Sequence, residues 1–417
     1  MDKKELLQFI DDRKDDLFKT LCDLIKIESV NYGSHGDEKE IAEYLGAEYE
    51  KYGFKGEVYS PLSIEGIENH PDYYPGRHLE NRYNASVTVP GTCHDKRLML
   101  AAHIDTEILG DRSTWTMEPL CGDIHDGSIW GRGAGDDKSG VAVAWFLIRI
   151  FKEAGIELPY DLVFTAYCDE EGGGGNGTLA ACLKYPSDDV LNLDCEHMQI
   201  VSGGAGGACL AADFVTKEPV DTSEIMLTAF SIYAEEMAKF RQRRHDELME
   251  YPRFARSTIP DEAYRIQDIM AGGTLSLNRG RINSCFYTTK SEKEINKEFA
   301  EITDTLNERL DSYGVIFEGF RFTTRFFRFA EVPEDNTSVE LLKKAYREVT
   351  GREQEDVGSC LSDLTIYMHN CTKNSVCFGV GGGFGEYGGA HQPDEHIGCD
   401  ELLEFAKILA SFMMDYR

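Results

Sequence analysis

Three short polar clusters carry residue types that can hold metal ions: His103-Ile104-Asp105, Asp136-Asp137-Lys138 and Asp169-Glu170-Glu171. Two of them directly follow apolar runs, RLMLAA and DLVFTAYC, that read as strands. Strands ending in imidazole or carboxylate groups deliver those ligands to one sheet edge, where several strand ends converge on one point. His103 and Asp105 stand two apart, so both side chains can face one side of an extended chain. One can then ligate while the other fixes its tautomer and ring direction, although a strand-end histidine bonded to a neighbouring aspartate needs no metal. Asp136 follows GRGAG and precedes a helical run, where an N-cap would use one carboxylate oxygen and leave the other able to bridge cations. Adjacent Glu170 and Glu171 would repel each other unless cations or protons compensate. A division of labour resolves this, with one carboxylate on metal and the other working as a general base. The glycines of EGGGGNG that follow lack the Lys-Ser/Thr end of a phosphate-cradling Walker loop. Asp194 ends the strand-like VLNL, with Glu196 and His197 close by, and the glycine-rich GVGGGFGEYGGAHQPDEHIG carries His391 and His396.

The elements that must position these groups alternate between two periods. Strand-like runs at 83–90, 97–104, 161–168 and 190–193 are interleaved with a helix from about Lys138 to Ala154, which predicts an α/β domain with a mainly parallel sheet covered on both faces. From about Ala208 the texture changes. A strand, a long charged helix around 222–250, two strands near 272–278 and 281–289, a helix SEKEINKEFAEITDTLNERLDSYG and a strand VIFEGFRFT spell βαββαβ, the order of a split βαβ sandwich. This predicts a discontinuous first domain at 1–204 and 329–417, with the second domain inserted at 205–328.

Composition narrows the function classes. A net charge of -31 makes a surface field that repels phosphate backbones and anionic membranes, so neither nucleic acid nor a membrane is an expected partner. The start, MDKKELLQFIDDRKDDLF, reads as an amphipathic helix without the apolar stretch of a signal peptide, and a cytoplasmic location is expected. The 12 cysteines form no CxxC pair and most lie in apolar runs, which suits reduced, buried thiols.

Taken in order, AAHIDTEIL, TWTMEPLCGDIHDGSIWGRGAGDDKSG, YCDEEGGGGNGT, LNLDCE and GAHQPDEHI resemble the di-zinc metallohydrolases that include acetylornithine deacetylase, succinyl-diaminopimelate desuccinylase, aminoacylase and several dipeptidases. The resemblance implies a zinc-hydrolase catalytic domain with an inserted lid. It implies two zinc ions, with cobalt or manganese able to take one position. One would be held by His103 and Asp194 and the other by Glu171 and His391, with Asp136 bridging. Asp105 would support His103, and Glu170 would be the general base. The implied substrate is a dipeptide, a short peptide or an N-acyl amino acid, and the implied assembly is a monomer or homodimer. One departure stands out: the stretch DFVTKEPVDTSEI, where the family carries a lid histidine that stabilises the oxyanion, has none, and His245 lies far along the next helix. A catalytically silent relative that binds amino-acid-like ligands is therefore the alternative reading. Arg279, Arg281, Arg321 and Arg325 are candidates for a substrate carboxylate, and SCLSDLT with Asp363 for a pocket wall.

Overall fold

The computed structural model describes residues 1–220, 223–272 and 277–417. In chain order the elements that frame the site are β1 (Gly56–Tyr59), β2 (Asn84–Val89), β3 (Arg97–His103), α1 (Lys138–Glu153), β4 (Asp161–Tyr167), α2 (Asn176–Lys184) and β5 (Asp189–Asn192). Then follow β6 (Gly206–Thr216), α3 (Glu224–Met249), β7 (Tyr264–Gly272), β8 (Arg279–Thr288), α4 (Glu292–Leu310), β9 (Val315–Phe322), α5 (Thr337–Thr350), β10 (Ser375–Cys377) and α6 (Cys399–Asp415). They form two compact units, one of Met1–Ser202, Glu331–Asp356 and Ile366–Arg417, the other of Gly203–Ala330 and Val357–Thr365.

In the first unit the strands hydrogen-bond in the order β1-β2-β4-β3-β5-β10. The run β4-β3-β5-β10 is parallel, and β1 and β2 join antiparallel at its edge. Every residue of β3 after Arg97 and of β4 after Asp161 is buried, because helices cover both faces. Fully buried side chains such as Leu100 and Phe164 each stabilise the fold by about 1.5–3 kcal/mol. Helix α1 is apolar nearly all round and packs on β3 and β4. Its one interior charge, Arg149, is satisfied: the guanidinium donates to Thr20 Oγ1 at 2.7 Å and Tyr52 OH at 3.2 Å. Among the described residues no helix is long and apolar enough to cross a membrane.

The second unit is a four-stranded antiparallel sheet in the order β7-β8-β6-β9, with α3 and α4 packed on it around Leu210, Phe214, Phe240, Phe286, Phe299 and Phe317. This is the βαββαβ order read from the sequence. The third element differs in place: the strand is Tyr264–Gly272 rather than 272–278, and 273–276 of the expected range lie outside the described residues. All of Arg265–Gly272 is exposed, so β7 carries no inside-outside alternation to reveal it, and its pairing with β8 is what makes it a strand. The segment Val357–Thr365, expected in the first domain, clusters with the second unit. Cys360 and Leu361 pack against Leu248, Phe254 and Tyr287, and the Phe254 ring fills the space that a side chain at Gly358 would need.

Candidate metal centre

The carboxyl ends of β3, β4 and β5 lie side by side, and the chain leaving each carries a polar cluster: His103 closes β3, Asp169–Glu171 follow β4, and Asp194 follows β5. Asp136 arrives from the loop before α1 and His391 from the glycine-rich C-terminal loop. Asp136 sits between the two histidines. His103 Nε2 donates to its Oδ1 at 2.9 Å, and His391 Nε2 approaches its Oδ2 at 3.3 Å and Glu171 Oε2 at 3.0 Å. Two groups of ligand atoms result, His103-Asp136-Asp194 and Glu107-Glu171-His391, each lying within 4.8 Å of one another.

The N-cap question at Asp136 is settled by its neighbour. Asp137, not Asp136, caps α1, accepting from Gly140 N at 3.2 Å and from His103 N at 3.1 Å. This leaves both oxygens of Asp136 directed at imidazoles. The peptide bond between the two aspartates is cis. Lys138 takes no part in the site: its buried ammonium donates to Leu24 O at 3.1 Å and Ile27 O at 2.7 Å, and burial pushes it down to about 7.

The contacts of Asp105 differ from those its spacing suggests. His103 Nδ1 donates to the Asp105 backbone carbonyl at 2.8 Å, while the nearer carboxylate oxygen is 3.7 Å away. That carboxylate instead accepts from Glu170 N at 3.2 Å, Glu171 N at 2.9 Å and Asn31 Nδ2 at 2.8 Å. It therefore holds the turn that carries Glu170 and Glu171. His391 is held at φ +62, a left-handed conformation that costs a non-glycine residue about 1–3 kcal/mol. The buried pair Arg132–Glu395 braces this region. Glu395 Oε1 accepts from Gly135 N at 2.9 Å and Asp136 N at 3.2 Å, and Arg132 donates to Gln392 O at 3.3 Å and Ile108 O at 3.1 Å.

Burial pushes Glu171 up to about 7 and Asp194 up to about 6, with the Asp136 charge adding to both. Burial opposes charge on the histidines, yet the carboxylates win: His103 is held well above its usual range by Asp136, Glu170 and Asp105, and His391 is raised to about 12 by Glu171 and Asp136. Asp136 is driven below the usual carboxylate range despite its burial, because both imidazoles bond to it. Glu171 Oε1 is buried with no hydrogen-bond partner among the described residues. Mixed imidazole and carboxylate donors, one of them an orphaned oxygen, fit divalent cations of the zinc type.

Of the residues expected from sequence, His103, Asp136, Glu171, Asp194 and His391 fall within these two groups and Glu170 stands on the adjoining turn. The alternatives Glu196, His197 and His396 belong to neither group. His197 is exposed and pairs with Glu386, and His396 stacks on Trp130 at 4.3 Å. Glu107, which the sequence patterns above do not single out, joins the second group and continues the two-residue spacing of His103 and Asp105. In the second unit Arg279 pairs with Glu318 and Arg281 with Asp213, Arg325 and Asp363 are buried, and His245 bonds to Asp246. Of DFVTKEPVDTSEI, Asp221 and Thr222 lie outside the described residues.

Strand ends bearing histidine and carboxylate groups at the carboxyl edge of a parallel sheet, in two adjoining sets that could each hold a metal ion, fit the architecture of a metal-dependent hydrolase. Residues 99–415 match the model of Peptidase family M20/M25/M40, and the chain belongs to that family. It is thus a hydrolase of the metallopeptidase and amidohydrolase type. It is 24% identical over 460 residues to the N-formyl-4-amino-5-aminomethyl-2-methylpyrimidine deformylase of Halalkalibacterium halodurans, covering 99% of this chain and 97% of that one. Among solved structures it resembles human carnosine dipeptidase 1 with a TM-score of 0.70 at 15% identity, covering 99% and 98% of the two chains. It also resembles a dinuclear metal-binding peptidase of Bacillus subtilis with a TM-score of 0.59 at 11% identity, covering 96% and 97%.

Proposed function

We propose that this protein hydrolyses the amide bond of a dipeptide, a short peptide or an N-acyl amino acid at a centre holding two zinc ions. His103 and Asp194 would hold one ion, Glu171 and His391 the other, and Asp136 would bridge. The observation that carries the reading is Asp136, whose two oxygens address His103 and His391 separately. The peptidase and deformylase names among its relatives support the substrate class, and a dinuclear neighbour supports the metal count. Two divalent cations would supply Lewis acidity toward a carbonyl oxygen and lower the pKa of a nearby water.

The residues of the chain do the rest. Asp136 and Glu171, ionised, offset the cationic charge, and His103 presents Nε2 because its Nδ1–H is committed to the Asp105 carbonyl. Glu170 is half-buried, its backbone N–H is fixed by Asp105, and its charge acts on His103. In the proposed reaction its carboxylate takes a proton from the attacking water as the new C–O bond forms. It returns that proton to the nitrogen as the C–N bond breaks, so acid and amine are released and Glu170 is regenerated.

Elemental analysis of purified protein should find about two zinc per chain, and a panel of dipeptides and N-acyl amino acids should be turned over. Glu170→Gln should keep the metal and lose about 100-fold or more in kcat. Protein that binds no metal at neutral pH would sink the reading. Full metal without turnover of any panel member would favour the silent relative instead.

A further inference from the structure

Behind the Asp169–Glu171 turn lies a buried ion network contributed by the chain upstream of β2. Arg77 Nε and Nη2 donate to Asp169 Oδ1 at 2.8 and 2.6 Å, and Arg82 Nη1 reaches the same oxygen at 2.7 Å. Arg82 also pairs with Glu38 at 2.9 Å, and Asn31 Oδ1 accepts from Arg82 Nη2 at 3.1 Å. The side chains of Arg82, Glu38 and Asp169 are fully buried, and that of Arg77 is 6% exposed. The network does not end on the core. Arg77 Nη2 and Asn31 Nδ2 both donate to the Glu171 backbone carbonyl at 2.9 Å, while the Glu171 N–H is held by Asp105.

The Glu171 backbone is therefore gripped at its N–H and at its carbonyl, and its side chain alone is left to face the metal centre. The turn's own bonds, Gly174 N to Glu170 O at 3.3 Å and Asn176 N to Asp169 Oδ2 at 3.3 Å, tie down its glycine side, and the grip from Arg77 and Asn31 fixes the Glu171 side. Asp169 sits at φ +66, and Gly172, Gly173 and Gly175 follow with positive φ. A glycine run offers the chain many competing conformations. We propose that Arg77, backed by Arg82 and Asn31, is a positioning residue that fixes the Asp169–Glu171 turn so that Glu171 meets the metal and Glu170 meets the water. The proposal rests on the function proposed above.

Stepwise zinc titration and steady-state kinetics of Arg77→Ala against wild type test it. Zinc at the Glu171/His391 position should bind about 10–100-fold more weakly, with the His103/Asp194 position within about threefold of wild type. kcat should fall about 10–100-fold with KM within about threefold, since a misplacement of about 1 Å costs rate by that order. Millimolar guanidinium ion should restore part of both losses, and Arg77→Lys, which keeps the charge but not the planar fork, should fall between. If Arg77→Ala does not fold, by circular dichroism, Arg77→Lys is judged by the same readouts. A folded variant with both zinc affinities and kcat within about twofold of wild type would overturn the proposal, and so would equal weakening at both positions. Wild type that never takes up a second zinc would overturn the proposed function and this inference together, whereas a two-zinc wild type beside an unaffected variant overturns the inference alone.

Discussion

Replacing Asp105 with Asn leaves the shape of a buried side chain almost unchanged while removing one charge and one acceptor. In the native site its two oxygens accept from Glu170 N, Glu171 N and Asn31 Nδ2. An amide can satisfy two of these by placing its oxygen where Oδ2 stands, but its NH2 then faces the Glu170 N–H. One buried donor without a partner costs about 1–3 kcal/mol, and the two surviving bonds lose charge assistance worth roughly 1 kcal/mol each. Relief of repulsion offsets part of this, because burial and then the Asp105 charge hold the Glu38 carboxyl well above its usual range. The costs come to about 3–5 kcal/mol, and with that relief set at about 1.5–2 kcal/mol, the scale of one charge-assisted bond, the net falls near 1.5–3 kcal/mol, or about 10–150-fold in an equilibrium constant. This loss should appear at the Glu170–Glu171 turn and not at His103, whose ring is oriented by the Asp105 carbonyl that the substitution retains. Stepwise zinc titration of Asp105→Asn should show the Glu171/His391 position weakened about 10–100-fold with the His103/Asp194 position within about threefold, and kcat lowered to match. Preferential loss at the His103 position would refute the argument, since it would mean that the carboxylate and not the carbonyl orients the ring. Unchanged affinity at both positions would refute the role of Asp105 in holding the turn.

Metal uptake should release protons, and more of them as the solution is acidified. In the metal-free protein His103 is held above its usual range and His391 at about 12, so each surrenders a proton at neutral pH, while Glu171 at about 7 and Asp194 at about 6 add theirs only below those values. Each displaced proton lowers metal affinity about tenfold per pH unit, so affinity should fall more steeply below pH 7 than above it. Calorimetric zinc titrations in buffers of different ionisation enthalpy count the protons, and a count that does not change between pH 8 and pH 5.5 would contradict the assignment. Glu107→Gln removes a carboxylate from the group it forms with Glu171 and His391. It should weaken zinc there about tenfold, equivalent to about 1.4 kcal/mol, and unchanged zinc affinity would take Glu107 out of the centre.

What the sequence alone determined is the chemistry available and the elements that present it. A two-residue period and an apolar run are local signals, so the strands ending at His103, Tyr167 and Asn192 were legible without a partner in view. The crowding of carboxylates that demands compensating charge was equally legible. Tertiary structure decided which atom touches which. The division between the Asp105 carbonyl and its carboxylate, the passing of the N-cap from Asp136 to Asp137, and the entry of Glu107 depend on where separate strand ends and loops meet. Bonds such as Asn31 to Glu171, 140 residues apart, have no local trace. The same reason explains β7 and Val357–Thr365. Their assignment follows from a neighbouring strand and a phenylalanine ring, which periodicity along one segment does not encode.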